Sequence, residues 1–162
     1  MKSVCLSLLI ALLPSAGLAD ALLVSPTAAW GAGIADNIKE CKLDAAQSEY
    51  VMKELSAAGV SAQAASADAV PKSGRYLQLK IESAISGGNA FIGHHKQVTT
   101  SAHLFENGKE VGQTTVSRDS GGGAFGGYKG SCSVLRRCTV TLGKDIASWV
   151  KSQGSSPAAP AR

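Results

Sequence analysis

The sequence predicts an α+β fold: a mostly antiparallel sheet of four to five strands with two main helices on one face. Three observations carry this. Leu77, Leu79, Ile81 and Ile85 alternate with Gln78, Lys80 and Glu82, the period of a strand with one buried side. Asn107-Gly108 stands between two strand-like runs, and a type I′ turn, which needs positive φ at both central positions, favours that dipeptide. From Ser133 to Ser152, Leu135, Cys138, Leu142, Ile146, Trp149 and Val150 recur as one stripe of an amphipathic helix roughly 30 Å long. Helices layered on one face of the sheet bury each of these apolar sides against another.

The chain opens with Met1-Lys2 and runs through Val4, Leu6, Leu8, Leu9, Ile10, Leu12 and Leu13 to Pro14, followed by Ser15, Ala16, Gly17 and Ala19. A short charged start, an apolar stretch too short to span a bilayer and a run of small residues are the pattern of a secretory signal peptide. We assign residues 1–19 to it, with cleavage after Ala19. No cysteine stands at the new N-terminus, so no lipid anchor is expected, and no later segment is apolar enough for a membrane helix. The formal charge of +4 falls to +3 once Lys2 is removed, too mild to argue for nucleic acid.

In chain order, Asp20 to Ser25 reads as a short strand covered on both faces and closed by Pro26. Thr27 to Gly33 reads as a loop, with a helical turn around Ile34, Ile38 and Cys41. Asp44 is placed to cap a helix, with Gln47 three residues on and Ala46, Tyr50, Val51, Leu55 and Ala58 at helical spacing before the stop at Gly59. Val60 to Ser73 is rich in Ala and Ser, leaving room for at most a short strand. The strand over Arg75 to Ile85 breaks at Gly87-Gly88-Asn89, and the hairpin follows, from about Lys96 to Phe105 and Glu110 to Arg118. Its expected register puts His103 opposite Gly112. Ser120 to Gly130 holds six glycines in eleven residues and has no element of its own. Gly143 on the last helix permits close packing. The domain is expected over 20–152, with 153–162, composed mainly of Ser, Gly, Pro and Ala, as a disordered tail.

The glycine loop contains G-x-G-x-x-G at Gly121, Gly123 and Gly126, with Asp145 further on. However, the preceding strand belongs to a hairpin and the helix does not open at the third glycine, so we do not read a dinucleotide site. A phosphate loop fails because Tyr128 stands where lysine is needed. Phe125, Tyr128 and Lys129 instead suggest a partner-binding loop. His94, His95 and His103 are too dispersed to share a metal, and no cofactor is expected. Arg136, Arg137, Lys144 and Lys151 give the last helix a basic face that suits an acidic surface or anionic headgroups.

Cys41, Cys132 and Cys138 remain after the leader, and export makes one disulfide the expectation. We place it at Cys132–Cys138, which requires Cys132 to lie outside the regular helix, because six helical residues span about 9 Å and a bridge reaches roughly 7 Å. Both pairings with Cys41 are the alternatives, and the competing Cys41–Cys138 bridge would staple the two helices. Cys132 near a helix start also invites a thiol nucleophile, with the disulfide half favoured.

The stretch Gly121 to Cys138, with Leu142-Gly-Lys-Asp-Ile-Ala-Ser-Trp149, Glu40-Cys41-Lys42-Leu43 and the Gly87-Gly88 turn, resembles a family of small exported proteobacterial proteins of unknown function. That family looks related to envelope lipoproteins with an α/β domain similar to the N-terminal domain of TolB and to the curli secretion lipoprotein. The resemblance implies fold and compartment, and it carries no catalytic residues. The chain departs from the lipoprotein members in lacking their lipidated cysteine. The combined reading is a non-enzymatic periplasmic or secreted protein that binds another envelope component. The alternatives are a small-ligand carrier, a thiol- or histidine-dependent enzyme, or a factor acting outside the cell.

Overall fold

The computed structural model describes residues 21–89, 93–120 and 130–155. The expectations for the leader, for Phe125, Tyr128 and Lys129 and for the tail beyond residue 155 lie outside the described residues. The elements are β1 (Leu22–Val24), β2 (Ala29–Trp30), α1 (Asp36–Lys39), α2 (Leu43–Ala57), β3 (Ala62–Ala64), β4 (Arg75–Asn89), β5 (Gly93–Glu106), β6 (Lys109–Ser120) and α3 (Ser131–Ser155). They form an α+β structure with one mixed sheet in the order β3-β1-β4-β5-β6, and β2 pairs with β4.

The long strands β4, β5 and β6 are an antiparallel meander, as expected. The N-terminal strands are not antiparallel: β1 runs parallel to both β3 and β4, and β2 parallel to β4. The reason is α2. A helix between two strands returns the chain to the end where it began, so β1-α2-β3 closes as a parallel crossover.

The inner side of the meander presents Leu77, Leu79 and Ile81 of β4 beside Val98, Ala102 and Leu104 of β5, all essentially inaccessible. Leu43, Val51 and Leu55 of α2 and Leu135, Leu142, Ile146 and Val150 of α3 complete one core. Ile85 departs from the expected pattern. The ladder pairs Ile81 with Thr100 but Ser83 with Thr99, so Glu82 is an extra residue in β4. A bulge of one residue exchanges the two faces of the strand beyond it. Ala84 therefore turns inward and Ile85 is 46% exposed. Gly31 sits against this bulge: its amide donates to the Ile81 carbonyl at 2.8 Å, and a Cβ there would stand 2.5 Å from the Glu82 carbonyl oxygen.

The hairpin turns through Asn107 (φ 51°) and Gly108 (φ 78°), the backbone that Asn-Gly predicts. A second bulge shifts its register. Phe105 pairs with Glu110 but Leu104 pairs with Gly112, leaving Val111 over, so His103 faces Gln113 and not Gly112. Gly112 lies against α3 instead, where a Cβ would stand 3.4 Å from the Trp149 ring and the Gln153 side chain.

The helix boundaries also moved. α2 starts at Leu43 behind Lys42, which is left-handed (φ 54°) and makes no side-chain cap. Asp44 thus lies inside the first turn, where a carboxylate suits the helix dipole, and Gln47 is buried instead of closing a capping box. α3 begins at Ser131 and extends through Ser155, past the expected end at 152.

The helices α2 and α3 run side by side in the same direction. A Cβ on Gly143 would lie 3.1 Å from the backbone of Tyr50, so glycine sets the distance between them. At their N-terminal ends Cys41 is bonded to Cys132, with Cα atoms 5.1 Å apart, and Cys138 is a buried free thiol. The expected Cys132–Cys138 bridge is overturned on its own condition: α3 begins at Ser131, so Cys132 lies within the helix and the axial rise to Cys138 exceeds a disulfide's reach. Arg136 adds to the clasp, its Nε and one terminal nitrogen donating to the Cys41 carbonyl at 3.3 and 3.2 Å.

Two outcomes follow. The bridge joins residues 91 apart in sequence, a loop whose closure is worth roughly 4–5 kcal/mol in a chain-entropy account. Urea unfolding of Cys132→Ser should show a loss of this order, reproduced in the wild type by reductant, and a reductant-insensitive wild type would contradict it. Gly31→Ala should destabilise by about 1–3 kcal/mol because the backbone it meets is held in the sheet, read as a melting temperature several degrees lower.

Candidate functional site

Three places on the molecule bear on function: the outer face of the sheet, the helix pair and the edge strand β6.

The outer face is polar. Lys80 Nζ and Glu82 are 2.8 Å apart, and the Ser101 hydroxyl donates to the other Glu82 oxygen at 2.7 Å. The ammonium of Lys80, and then the Ser101 hydroxyl, hold the Glu82 carboxyl below its ordinary range. His103 Nδ1 lies 3.0 Å from Glu110, which stands opposite Phe105 on the same face. Thr99 and Ser117 join side chains across β5 and β6 at 3.0 Å. Towards the hairpin the face becomes apolar: Tyr76, wholly buried, lies beside Phe105 with ring centroids 6.3 Å apart. Burial, and then the nearby Asp68 carboxylate, raise the Tyr76 phenol. The Gly74 amide donates to the Asn107 side chain, and the Asn107 amide to the Gly74 carbonyl, so the segment before β4 is tied to the hairpin tip.

This face brings charged and hydroxyl groups together without a relay. The Ser101 hydroxyl is given to Glu82 and not to His103. His95 and His103 are eight residues apart on β5, roughly 26 Å along a strand. Among the described residues no group of three or more His, Cys, Asp or Glu side chains could hold a metal ion.

Of the residues expected to form a basic face, Arg136 is committed to the Cys41 carbonyl, whereas Arg137, Lys144 and Lys151 are exposed. Lys144 and Lys151 line an open groove of about 420 Å³ between α2 and α3, with Glu54, Ala57, Ala58, Ala147 and Ser148. Asp145, at the position a dinucleotide motif would use for its acid, instead accepts from Arg118 at 2.8 Å and ties α3 to β6. The Cys138 thiol is buried among apolar neighbours, and that burial, with a smaller push from the Asp119 carboxylate, raises it above the ordinary thiol range. A thiol held protonated in a core is a poor nucleophile. Cys132 is in the disulfide.

The feature that residue-by-residue reading did not single out is the position of β6. It ends the sheet, twelve residues long, with β5 on one side and no strand on the other among the described residues. Its charges stand near the ends, at Lys109, Glu110, Arg118 and Asp119, and Gly112 to Ser117 carries none. The signal was present in the hairpin, which announces β6, but which strand lies outermost depends on where β1 and β3 pair.

No protein-family model matches the chain, and no curated protein is significantly similar to it. Solved structures share its architecture. Protein XCC0632 of Xanthomonas campestris, of family DUF330, is 11% identical over 83% of this chain and 85% of its own, with a TM-score of 0.52. Protein CT253 of Chlamydia trachomatis is 7% identical over 83% and 95%, with a TM-score of 0.51. A minor lipoprotein from Acinetobacter baumannii is 9% identical over 82% and 94%, at 0.46. At these identities the first two show a likeness of fold alone.

The sign of the Glu82 shift yields a test. A carboxyl lowered in the folded state contributes stability above the ordinary carboxylate range and loses it as pH falls through the lowered value. Because the side chain is about a third exposed, solvent screening keeps the effect within about 1 kcal/mol. Glu82→Gln should therefore be slightly less stable than wild type at neutral pH and indistinguishable from it in strong acid, by urea titration at the two pH values.

Proposed function

We propose that this chain is a non-catalytic cell-envelope protein that works as a protein-interaction module, with the β6 edge as its contact surface. The observation that carries the reading is the long outer edge of β6, uncharged over its middle, which offers backbone donors and acceptors to an added strand. Phe125, Tyr128 and Lys129 follow β6 directly in the chain, and in this reading they are further candidates for contact with the partner. Arg137 and the Lys144 and Lys151 groove offer a second, basic contact for an acidic envelope surface.

The leader pattern supports export, with the mature chain starting at Asp20 in the periplasm or beyond it and carrying no lipid. The resemblance to relatives of envelope lipoproteins supports the same compartment, and with it a domain of the TolB N-terminal or curli-secretion type. The rival reading as a thiol-dependent enzyme is weakened by the burial of Cys138, and a histidine-dependent one by the Ser101 hydroxyl donating to Glu82 and not to His103.

A photo-crosslinking residue at Thr115, exposed on β6, should give discrete adducts in intact cells, while the same residue at Glu49, exposed on α2, should not. Equal labelling from both positions, or none from Thr115, would overturn the assignment of β6 as the contact surface.

A further inference from the structure

We infer that the strand added to β6 is the β6 of a second copy of this chain, paired antiparallel about a two-fold axis at Val116, so that two sheets become one. The inference rests on the reading of β6 as a contact edge and names its occupant.

The charges on β6 are compatible with a second copy as the partner, and they select the register. Antiparallel copies of one strand pair residues symmetrically about a centre, and the bulge at Val111 moves Lys109 and Glu110 one place along the ladder. Centred on Thr114, the pairing sets Lys109 opposite Arg118 of the second copy. Centred on Thr115, it sets Glu110 opposite Asp119 of the second copy. Like charges directly opposite are destabilising. Centred on Val116, Gln113 faces Asp119, Thr114 faces Arg118, Thr115 faces Ser117 and Val116 faces itself, with no like charges opposed and no bulge inside the paired stretch. A centre closer to the hairpin runs across the bulge, which turns the edge away. A centre at Ser117 is shorter and sets Val116 against Arg118.

The layer above agrees with this choice. Val116 lies on the helix side of β6 and is only partly covered, packed against the margin of the core. Two copies joined at Val116 put these margins together, with one α3 beside the other, and leave the Arg118–Asp145 pair within each copy. On the outer side Thr115 and Ser117 are small, exposed and uncharged, so they meet the second copy without burying a charge. The opposite edge of the sheet, β3, is only three residues long and offers no comparable template.

The purified protein should have the mass of a dimer by light scattering at micromolar concentration. Val116→Cys should form an intermolecular disulfide on mild oxidation, because directly opposite residues have Cα atoms about 4.5–5.5 Å apart, within bridging range. Gln113→Cys should not, since its own counterpart lies about 20 Å along the strand. The double variant Thr115→Lys, Ser117→Lys sets four ammonium groups across the axis, and should weaken dimerisation at least about tenfold, while the folded monomer loses only the exposed Thr99–Ser117 hydrogen bond and still melts cooperatively. A monomeric wild type, a dimer indifferent to the two lysines, or crosslinking of Gln113→Cys as efficient as that of Val116→Cys overturns the inference. A monomer whose β6 still crosslinks to a different envelope protein refutes self-pairing while leaving β6 as the contact edge, whereas the absence of any β6 crosslink removes both.

Discussion

The separation of α2 and α3 is set where Gly143 rests on the backbone of Tyr50, and the rest of the fold is arranged around that approach. Gly143 brings no side chain to this contact with the backbone and Cβ of Tyr50, so the two parallel helices can sit close together on the inner side of β4 and β5 and direct Val51, Leu55, Leu142 and Ile146 into one core. Four contacts keep α3 in place along its length. The Cys41–Cys132 bond and the Arg136 guanidinium hold its first turns to the start of α2. Asp145 holds its middle to Arg118 of β6, and Trp149 sits over the space left by Gly112. The disulfide thus reinforces a packing that apolar burial already specifies, consistent with a domain large enough to have its own core.

The two bulges govern how the surface is presented. Glu82 is an inserted residue, yet its carboxylate organises the polar patch with Lys80 and Ser101. The second bulge leaves Val111 exposed and shifts the rest of β6 by one place, so that His103 faces Gln113. It also limits the regular part of the β6 edge to the stretch beyond it, where side chains are short and the few charges stand towards one end. An edge of this kind is open to pairing over a defined length, and the bulge acts as a stop on the hairpin side. Function is therefore best sought at the boundary of the sheet, with the basic groove between α2 and α3 as a separate surface. The chemically richer residues are engaged structurally: Cys132 in a disulfide, Cys138 in the core, Arg136 on a carbonyl and Asp145 on Arg118.

The sequence by itself determined the elements whose signal is local. The helix stripe from Leu135 to Val150, the alternation of Leu77, Leu79 and Ile81, the Asn107-Gly108 turn and the role of Gly143 all follow from spacing or from backbone preferences that neighbours in the chain impose. The α+β class follows from burying those sides together. Tertiary structure alone decided the rest. A bulge is invisible in a pattern of period two until partner strands define which residue is extra, so the alternation puts Ile85 on the buried face and the hairpin puts His103 opposite Gly112, and the two bulges change both. The parallel pairing of β1 depended on where α2 returned the chain. The choice among three cysteines depended on whether α3 began before or after Cys132, a shift of a few residues at a helix end that local preference does not resolve and that packing against α2 does. The outermost place of β6, on which the functional reading rests, is a property of strand order, and strand order is set by contacts between segments far apart in the chain.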